Sequence, residues 1–322
     1  MCFLKRYFYN VGNALFCKET VLNHTIIYDC GKVDFGCDDN IIVNETIDAV
    51  FISHYDKDHI NGIFNLIKKA NVKTLILPLV SYDIKFLSLL KDEKIIEAQL
   101  DFIIDAKQAI IEYTNKDNVN VVYIKGKVNH AELNNETSYS LIYASQRHYQ
   151  SYIINNLDKT EIDNLPLFFL EKKTDNKVVN NWLFLPYNPY VFSEVDEKNF
   201  FQMLNDSLAE QGLNLKIDKN NIKEEWNKCK DMKKYIKCAA INIIPMLKNK
   251  NTNYNDYCMT LYSGPFNMNS SFGCLYMGDY NAKKYFDELY EVYEKFWCNI
   301  FTLQVPHHGS LNNFNHKFTT VP

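Results

Sequence analysis

One stretch, Ser-His-Tyr-Asp-Lys-Asp-His at residues 53–59, constrains this chain most, because it places four potential metal ligands within six residues. These ligands are His54, Asp56, Asp58 and His59. Residues 47–52 before them are apolar and β-prone, which predicts a buried strand, and apolar residues at helical spacing follow over residues 60–70. The cluster is therefore expected on a strand-to-helix loop, where a rigid scaffold directs several side chains to one point.

Imidazole and carboxylate groups at this spacing suit zinc, manganese or iron. A single Asp or His on a loop is more often a cap or a solvated turn residue, and Asp58 has the position of a cap for the following helix. Four ligand-type side chains directly after a buried strand are not explained in that way. The sequence therefore favours a metal site.

The stretch resembles the His-x-His-x-Asp-His signature of the metallo-β-lactamase fold, with Asp56 in the place of the second histidine. The form Ser-His-x-Asp-x-Asp-His-x-x-Gly is similar to the branch that contains the hydrolase domain of the DNA-uptake channel protein ComEC. A carboxylate at position 56 is a harder ligand than the histidine that it replaces, which favours manganese or magnesium beside zinc.

Composition limits the functions that this chain can have. Its 322 residues suffice for one large or two small domains, and a hydrophobic fraction of 47% predicts a sizeable core. The formal net charge of −4 means that an anionic substrate must be attracted locally, by metals and nearby lysines. Nine cysteines without a CxxC pair, and an opening that does not resemble a secretory signal, favour a reducing cytoplasm. No apolar run is long enough to span a bilayer, so no membrane partner is expected.

Strand and helix patterns alternate through residues 1–128, which we interpret as the first half of an α/β core. The opening strands at residues 6–16 and 24–31 resemble the Asp-Val-Gly-x-Gly-Asp-Ala and Asp-x-Gly segments of the ComEC-like domain. Asn10 and Asn13 stand where that domain usually has acidic residues. A strand is predicted at residues 72–78.

The middle of the chain fits this pattern less well. Residues 129–192 carry short strand-like runs between polar turns, which predicts an irregular β-rich insertion. Residues 193–250 are rich in Lys, Glu and Asn with broken helical periodicity, which predicts a helical insertion or cap. The charged residues of this segment form either a solvated face or a substrate-binding face. His130 is a weak candidate for a third histidine ligand, because no apolar strand leads into it.

Residues 251–322 return to the α/β pattern, beginning with a predicted strand at residues 257–262, and form the second half of the predicted core. Gly278-Asp279 follows a predicted strand at residues 272–277, and an amphipathic helix is predicted at residues 281–297. Pro-His-His-Gly-Ser at residues 306–310 follows another predicted strand. These motifs, in this order after the first cluster, resemble the metallo-β-lactamase pattern over most of the chain.

The resemblance implies two divalent metal ions, zinc or manganese with magnesium as an alternative, held by six side chains: His54, Asp56, Asp58, His59, Asp279 and His308. His54 and Asp56 would hold the first ion, Asp58 and His59 the second, and Asp279 would bridge them. Asp58 would also orient a hydroxide. His307 would support the ligands or donate a proton, and it could exchange roles with His308.

Two further side chains are weaker candidates for substrate binding. The Ser310 hydroxyl could hold a phosphate oxygen. Lys57, which lies between ligands, could attract an anion, although a solvated loop lysine is the simpler interpretation. A third protein ligand for the first ion is not visible in the sequence.

We therefore expect a metallo-β-lactamase-like αββα sandwich with a helical insertion that acts as a metal-dependent hydrolase. Two cations would lower the pKa of a shared water and stabilise charge at the attacked centre. The motif form favours a phosphodiesterase or nuclease with nucleic acid as its substrate, although the fold alone does not choose the substrate. A cyclic-nucleotide phosphodiesterase or other small-ester hydrolase is one alternative, and a non-catalytic sensing or binding module is another.

The sequence also suggests a longer natural polypeptide with further domains. The polar tail at residues 311–322 contains no strand-length apolar run, whereas the resemblance leads us to expect another strand there. A sheet without that strand would expose backbone donors and apolar surface.

Overall fold

The computed structural model describes the following residues: 4–21, 24–31, 45–91, 97–124, 126, 161–162, 168–174, 177–190, 194–213, 215–228, 235–236, 238–240, 242–243, 254–265 and 272–319. Residues 129–160 of the predicted β-rich insertion, which include His130, lie outside the described residues.

The first half of the chain forms a seven-stranded sheet in which strand order follows chain order. Its strands are β1 (Leu4–Phe8), β2 (Phe16–Val21), β3 (His24–Cys30), β4 (Thr46–Phe51), β5 (Asn71–Pro78), β6 (Asn120–Ile124) and β7 (Glu161–Ile162). The first three strands are antiparallel, and β3 to β7 run parallel to one another. β4 and β5 are buried along most of their length, as is typical of central parallel strands covered on both faces.

Among the described residues, five helices connect the parallel strands of this sheet. They are α1 (Lys57–Ile60), α2 (Ile63–Lys69), α3 (Tyr82–Lys91), α4 (Glu97–Ile104) and α5 (Ala106–Thr114). The helix expected after the ligand cluster is divided into α1 and α2, because Gly62 lies between them and its N–H donates to the carbonyl of Cys30 instead of continuing α1 (2.7 Å). This contact ties the loop to the end of β3.

The second sheet has five strands in the order β12-β11-β10-β9-β8. They are β8 (Phe168–Thr174), β9 (Lys177–Tyr187), β10 (Thr260–Pro265), β11 (Gly273–Tyr276) and β12 (Ile300–Leu303). β8 to β11 are antiparallel, whereas β11 and β12 are parallel. Their carboxyl ends therefore lie at the same edge of the sheet.

Aromatic side chains fill the space between the two sheets. Tyr28 of β3 stacks on Tyr276 of β11 with ring centroids 5.0 Å apart, and Phe51 of β4 lies 6.2 Å from Phe184 of β9. The outer face of the first sheet packs against α2 to α5. The outer face of the second sheet packs against a helix that precedes β12. The predicted mixed α/β class is therefore confirmed.

The described part of the 193–250 segment is largely helical, as its periodicity indicates. It contains two longer helices, α6 (Glu194–Glu210) and α7 (Ile222–Lys228). These helices pack on α3: the ring of Phe86 lies 6.3 Å from Phe200 and 6.1 Å from Trp226. The segment thus shares one hydrophobic core with the outer face of the first sheet.

Two predicted elements of the last part of the chain differ from the structure. The strand expected at residues 257–262 begins only at Thr260, because Tyr254–Tyr257 forms a 3₁₀ helix in which Asp256 accepts hydrogen bonds from Asn281 and Tyr285. The helix expected at residues 281–297 is α8 (Ala282–Tyr293), followed by a 3₁₀ helix at Glu294–Asn299. In the described ranges, no helix has both the length and the apolar character needed to cross a membrane.

Candidate metal centre

The predicted ligands lie where strands of both sheets end. β4 leads into the loop with His54 and Asp56, β11 into Gly278-Asp279, and β12 into the turn at residues 306–310. A cleft of about 650 Å³ opens at this edge. It is lined by seven of the nine predicted site residues: Asp56, Lys57, Asp58, Asp279, His307, His308 and Ser310. The other two, His54 and His59, are buried.

In the deeper part of the centre, the segment after β4 that carries His54, Asp56 and His59 approaches Asp279. His54 Nε2 lies 3.4 Å from Asp56 Oδ2 and 3.9 Å from Asp279 Oδ2. His59 Nε2 lies 3.4 Å from Asp279 Oδ1, and the rings of the two histidines are 4.0 Å apart. His54, His59 and Asp279 each have a ligand atom within 4.8 Å of the others, a spacing that one ion can bridge.

The shallower part of the centre is formed by Asp58, His59 and His308. His308 Nε2 lies 3.4 Å from Asp58 Oδ2, and His59 Nε2 lies 3.7 Å from the same oxygen. These side chains form a second group whose ligand atoms lie within 4.8 Å of one another. The side chains of Asp58 and His308 are 38% and 35% exposed, whereas those of the deeper group are buried. The shallower group therefore faces the cleft.

A buried carboxylate behind the centre fixes the orientation of His59. Asp29, at the end of β3, accepts hydrogen bonds from His59 Nδ1 (2.8 Å), Ser53 N (2.7 Å) and Ser53 Oγ (2.8 Å). Its backbone is left-handed, with a φ of 59°, an uncommon conformation outside glycine that is typical of functional sites. Because Nδ1 is occupied, His59 can offer only Nε2 to the centre.

The electrostatics of the buried groups favour a bound cation. Burial lowers the pKa of His59, but the carboxylates of Asp29 and Asp279 outweigh burial and hold that pKa well above its usual value. Burial raises the pKa of Asp279, but the adjacent His59 and His54 outweigh it and hold that pKa well below its usual range. The site therefore stabilises positive charge, whether a proton or a metal ion supplies it.

Two buried ring nitrogens also fit a metal. The Nε2 atoms of His54 and His59 make no hydrogen bond, although both side chains are almost completely buried. An unsatisfied buried polar atom costs free energy, and such atoms are rare in native proteins. Imidazole nitrogens beside carboxylates are donors that zinc and manganese accept. The residues present therefore fit a divalent cation.

The remaining predicted residues surround the centre. His307 Nε2 lies 3.9 Å from Asp279 Oδ2, and 37% of its side chain is exposed to the cleft. Lys57 and Ser310 line the cleft. The turn that carries the two histidines is left-handed at His307, His308 and Gly309, with φ values of 49°, 53° and 79°.

Several residues of the site were not found from the sequence. Asp29 and Ser53 support His59, and the Sγ of Cys258 accepts a hydrogen bond from Asp279 N (3.1 Å) and lies 3.6 Å from His54 Nδ1. Ser88 of α3 also lines the cleft. Two of them have a sequence signal, namely the Asp-x-Gly at the end of β3 and the serine that opens the ligand stretch. Neither signal identifies a role by itself.

Comparison of the chain with models of known protein families finds no match, and comparison with functionally curated proteins finds none either. A function for this chain is therefore inferred from the residues of the site themselves.

Proposed function

We propose that this protein is a metal-dependent hydrolase with a metallo-β-lactamase-like αββα sandwich. The observation that carries the proposal is the approach of Asp279 to His54 and His59, which come from a distant part of the chain. The Nε2 atoms of both histidines are buried, make no hydrogen bond, and face carboxylate oxygens at 3.4 to 3.9 Å. A stable fold rarely leaves two such atoms unsatisfied side by side. The layered arrangement of helices and sheets supports the proposed sandwich.

The donor set divides between two cations. His54 and Asp56 would hold a deep ion, and His59, Asp58 and His308 would hold a shallow ion. Asp279 could serve both, because it has one oxygen near each histidine. Histidine and carboxylate ligands admit zinc or manganese, and the share of carboxylates also admits magnesium.

When bound, two cations would supply an activated water and would stabilise negative charge at the reacting centre. The residues of the chain do the rest. Asp58, which faces the cleft, is placed to accept a proton from the attacking water and to orient it. His307, which lines the cleft 3.9 Å from Asp279 Oδ2, is placed to donate a proton to the leaving group.

The composition of the cleft supports a phosphodiester substrate, and nucleic acid in particular. Among the described residues that line it, every side chain is polar except that of Gly309. Lys57 offers a positive charge, and Asn13 and Ser310 offer hydrogen-bond donors, which suit phosphate and sugar oxygens. A phosphodiester is therefore preferred over an apolar ester.

The free thiols of the chain support a reducing compartment such as the cytoplasm. Four of the cysteines that the structure describes, Cys17, Cys30, Cys258 and Cys274, are buried free thiols. Free buried thiols persist where glutathione and thioredoxin keep cysteines reduced.

The test is to incubate the purified protein with single-stranded DNA, RNA and cyclic nucleotides, each with Mn²⁺, Mg²⁺ or Zn²⁺, and to measure bound metal in parallel. We expect cleavage of a linear nucleic acid that a chelator abolishes. Cleavage of cyclic nucleotides alone would indicate a small-molecule phosphodiesterase. Absence of bound metal at physiological concentrations would contradict the proposal and favour a binding module.

A further inference from the structure

Gln304, directly after β12, is a buried glutamine that makes four hydrogen bonds with its side-chain amide. Its Oε1 accepts from the backbone N–H groups of Met277 and Gly278, both at 2.7 Å. Its Nε2 donates to the carbonyl oxygens of Gly278 (3.5 Å) and Val305 (2.5 Å). A carboxamide has two donors and two main acceptor positions, so the hydrogen-bonding capacity of this side chain is used completely.

These bonds connect the two loops that the second sheet contributes to the candidate metal centre. Met277 and Gly278 lead directly to Asp279. Val305 leads to the turn at residues 306–310, which we call the histidine turn. The carbonyl of Gly278 also accepts a hydrogen bond from the backbone N–H of His307 (2.9 Å). The backbone of Gly278 is therefore hydrogen-bonded both to the side chain of Gln304 and to the histidine turn. The side chain of Gln304 thus links the loop of Asp279 to the loop of the two histidines.

The histidine turn needs such an anchor because its backbone is strained. His307 and His308 are both left-handed, with φ values of 49° and 53°. This conformation costs an ordinary L-residue roughly 1–2 kcal/mol, and it persists only where the surroundings impose it. Loss of the anchor would let the turn relax and would move His308 away from Asp58.

We infer that Gln304 is a positioning residue, which sets the distance between Asp279 and the histidine turn and thereby the affinity of the centre for its cations. The inference rests on the metal centre proposed above. This position requires an amide side chain, because it must accept hydrogen bonds from two backbone N–H groups and donate hydrogen bonds to two backbone carbonyl oxygens. A glutamate would oppose two carbonyl oxygens with a carboxylate, and a methionine would leave two buried N–H groups without an acceptor.

Binding of Mn²⁺ and of Zn²⁺ to the metal-free protein, followed by titration calorimetry, tests this inference. The proteins are the native chain, Gln304→Met and Gln304→Glu. We expect both variants to bind cations about 10- to 100-fold more weakly, which is the usual loss when a residue that orients metal ligands is removed. The Gln304→Glu variant is informative because its added negative charge alone would strengthen cation binding.

Asn299→Asp is the matched control. Asn299 is a buried amide at the other end of β12, where it donates to the carbonyl of Pro265 (3.4 Å). Its change to an acid disturbs the same strand without touching the loops of the centre. We expect the stability of this variant to fall and its cation affinity to stay the same.

The outcomes separate the inference from the function on which it rests. A native chain that binds no cation would overturn the proposed metal centre. A native chain that binds cations, with unchanged affinity in Gln304→Met, would overturn the inference alone. Equal loss of affinity in Asn299→Asp, or failure of both Gln304 variants to fold, would show that Gln304 serves the fold and not the centre.

Discussion

Gly278 is a position at which one added methyl group should disturb the candidate centre. Its backbone is left-handed, with a φ of +52°. A Cβ atom there would lie 2.6 Å from both Cβ and Oγ of Ser53 and 2.7 Å from Sγ of Cys258. These neighbours lie directly behind His54 and Asp279, so the methyl group would press on the support of two proposed ligands.

The cost of Gly278→Ala can be divided into two parts. The left-handed conformation costs an alanine roughly 1–2 kcal/mol. Overpacking a close-packed site costs about 1–3 kcal/mol more. We therefore expect the free energy of unfolding to fall by about 2–5 kcal/mol. Gly212→Ala is the matched control, because Gly212 has a φ of +77° and no atom within 4 Å of the position of a Cβ. It should lose only the conformational part, about 1–2 kcal/mol.

Urea denaturation of the metal-free proteins, followed by circular dichroism, measures both losses. The slope of free energy against urea should stay the same, so that the midpoints report stability directly. A loss in Gly278→Ala equal to that in Gly212→Ala would mean that the contacts with Ser53 and Cys258 do not exist as described. The reasoning on the packing behind the centre would then be refuted.

Three other predictions concern the ligands and the first sheet. Asp58→Ala should abolish hydrolysis while its circular dichroism spectrum stays native, because the partly exposed carboxylate serves the reaction and not the core; full turnover would contradict a two-metal reaction. Asp29→Asn should weaken cation binding about 10- to 100-fold in calorimetry, because the orientation of His59 is no longer fixed; unchanged binding would exclude that role. Burial raises the pKa of Asp48, but hydrogen bonds from His24 and Lys73 outweigh it and lower the pKa to about 2. This value is below the unfolded value of about 3.9, so the carboxylate adds stability above about pH 4 that is lost as the pH falls toward 2. Asp48→Asn should lose that part of the pH dependence in acid unfolding, and an unchanged profile would refute the assignment.

Local patterns in the sequence predicted the elements that depend on local hydrophobicity. The strand at residues 72–78 agrees with β5 (Asn71–Pro78), and the apolar run before His54 agrees with β4 (Thr46–Phe51). Buried parallel strands are continuous apolar runs, so they are visible without knowledge of their neighbours. The placement of the ligand cluster between a strand and a helix followed from the same signal.

Contacts between distant parts of the chain could not be predicted in that way. Arg6 Nε donates to Glu19 Oε2 (2.6 Å) across β1 and β2, and Glu19 also accepts from Ser263 and Tyr276 of the second sheet. This buried network depends on strand register and on how the two sheets face each other. Neither the register nor the facing of the sheets is encoded in a local pattern, and a half-buried arginine contradicts the usual expectation for its residue type.

The role of Asp29 was missed for a related reason. The sequence shows only an Asp-x-Gly turn after an apolar strand. Its carboxylate reaches His59 because β3 pairs with β4 in parallel, with Tyr28 opposite Phe51, so that the ends of both strands meet. The strand order of a sheet is decided by tertiary packing, and the residue that orients a ligand is found only once that order is known.

The same dependence on packing explains why the candidate centre lies between the sheets and not within either of them. His54 and His59 follow a strand of the first sheet, whereas Asp279 follows a strand of the second. The sheets meet here through a backbone hydrogen bond from Met259 N to Ser53 O (2.7 Å) and through the 3.4 Å approach of His59 to Asp279. A cation shared by these ligands would bind only when the sheets are packed together. Its binding free energy would therefore add to the free energy of packing, by an amount that grows with the logarithm of its concentration over its dissociation constant. Ligands from both sheets would thus couple the stability of the fold to the occupancy of the proposed centre.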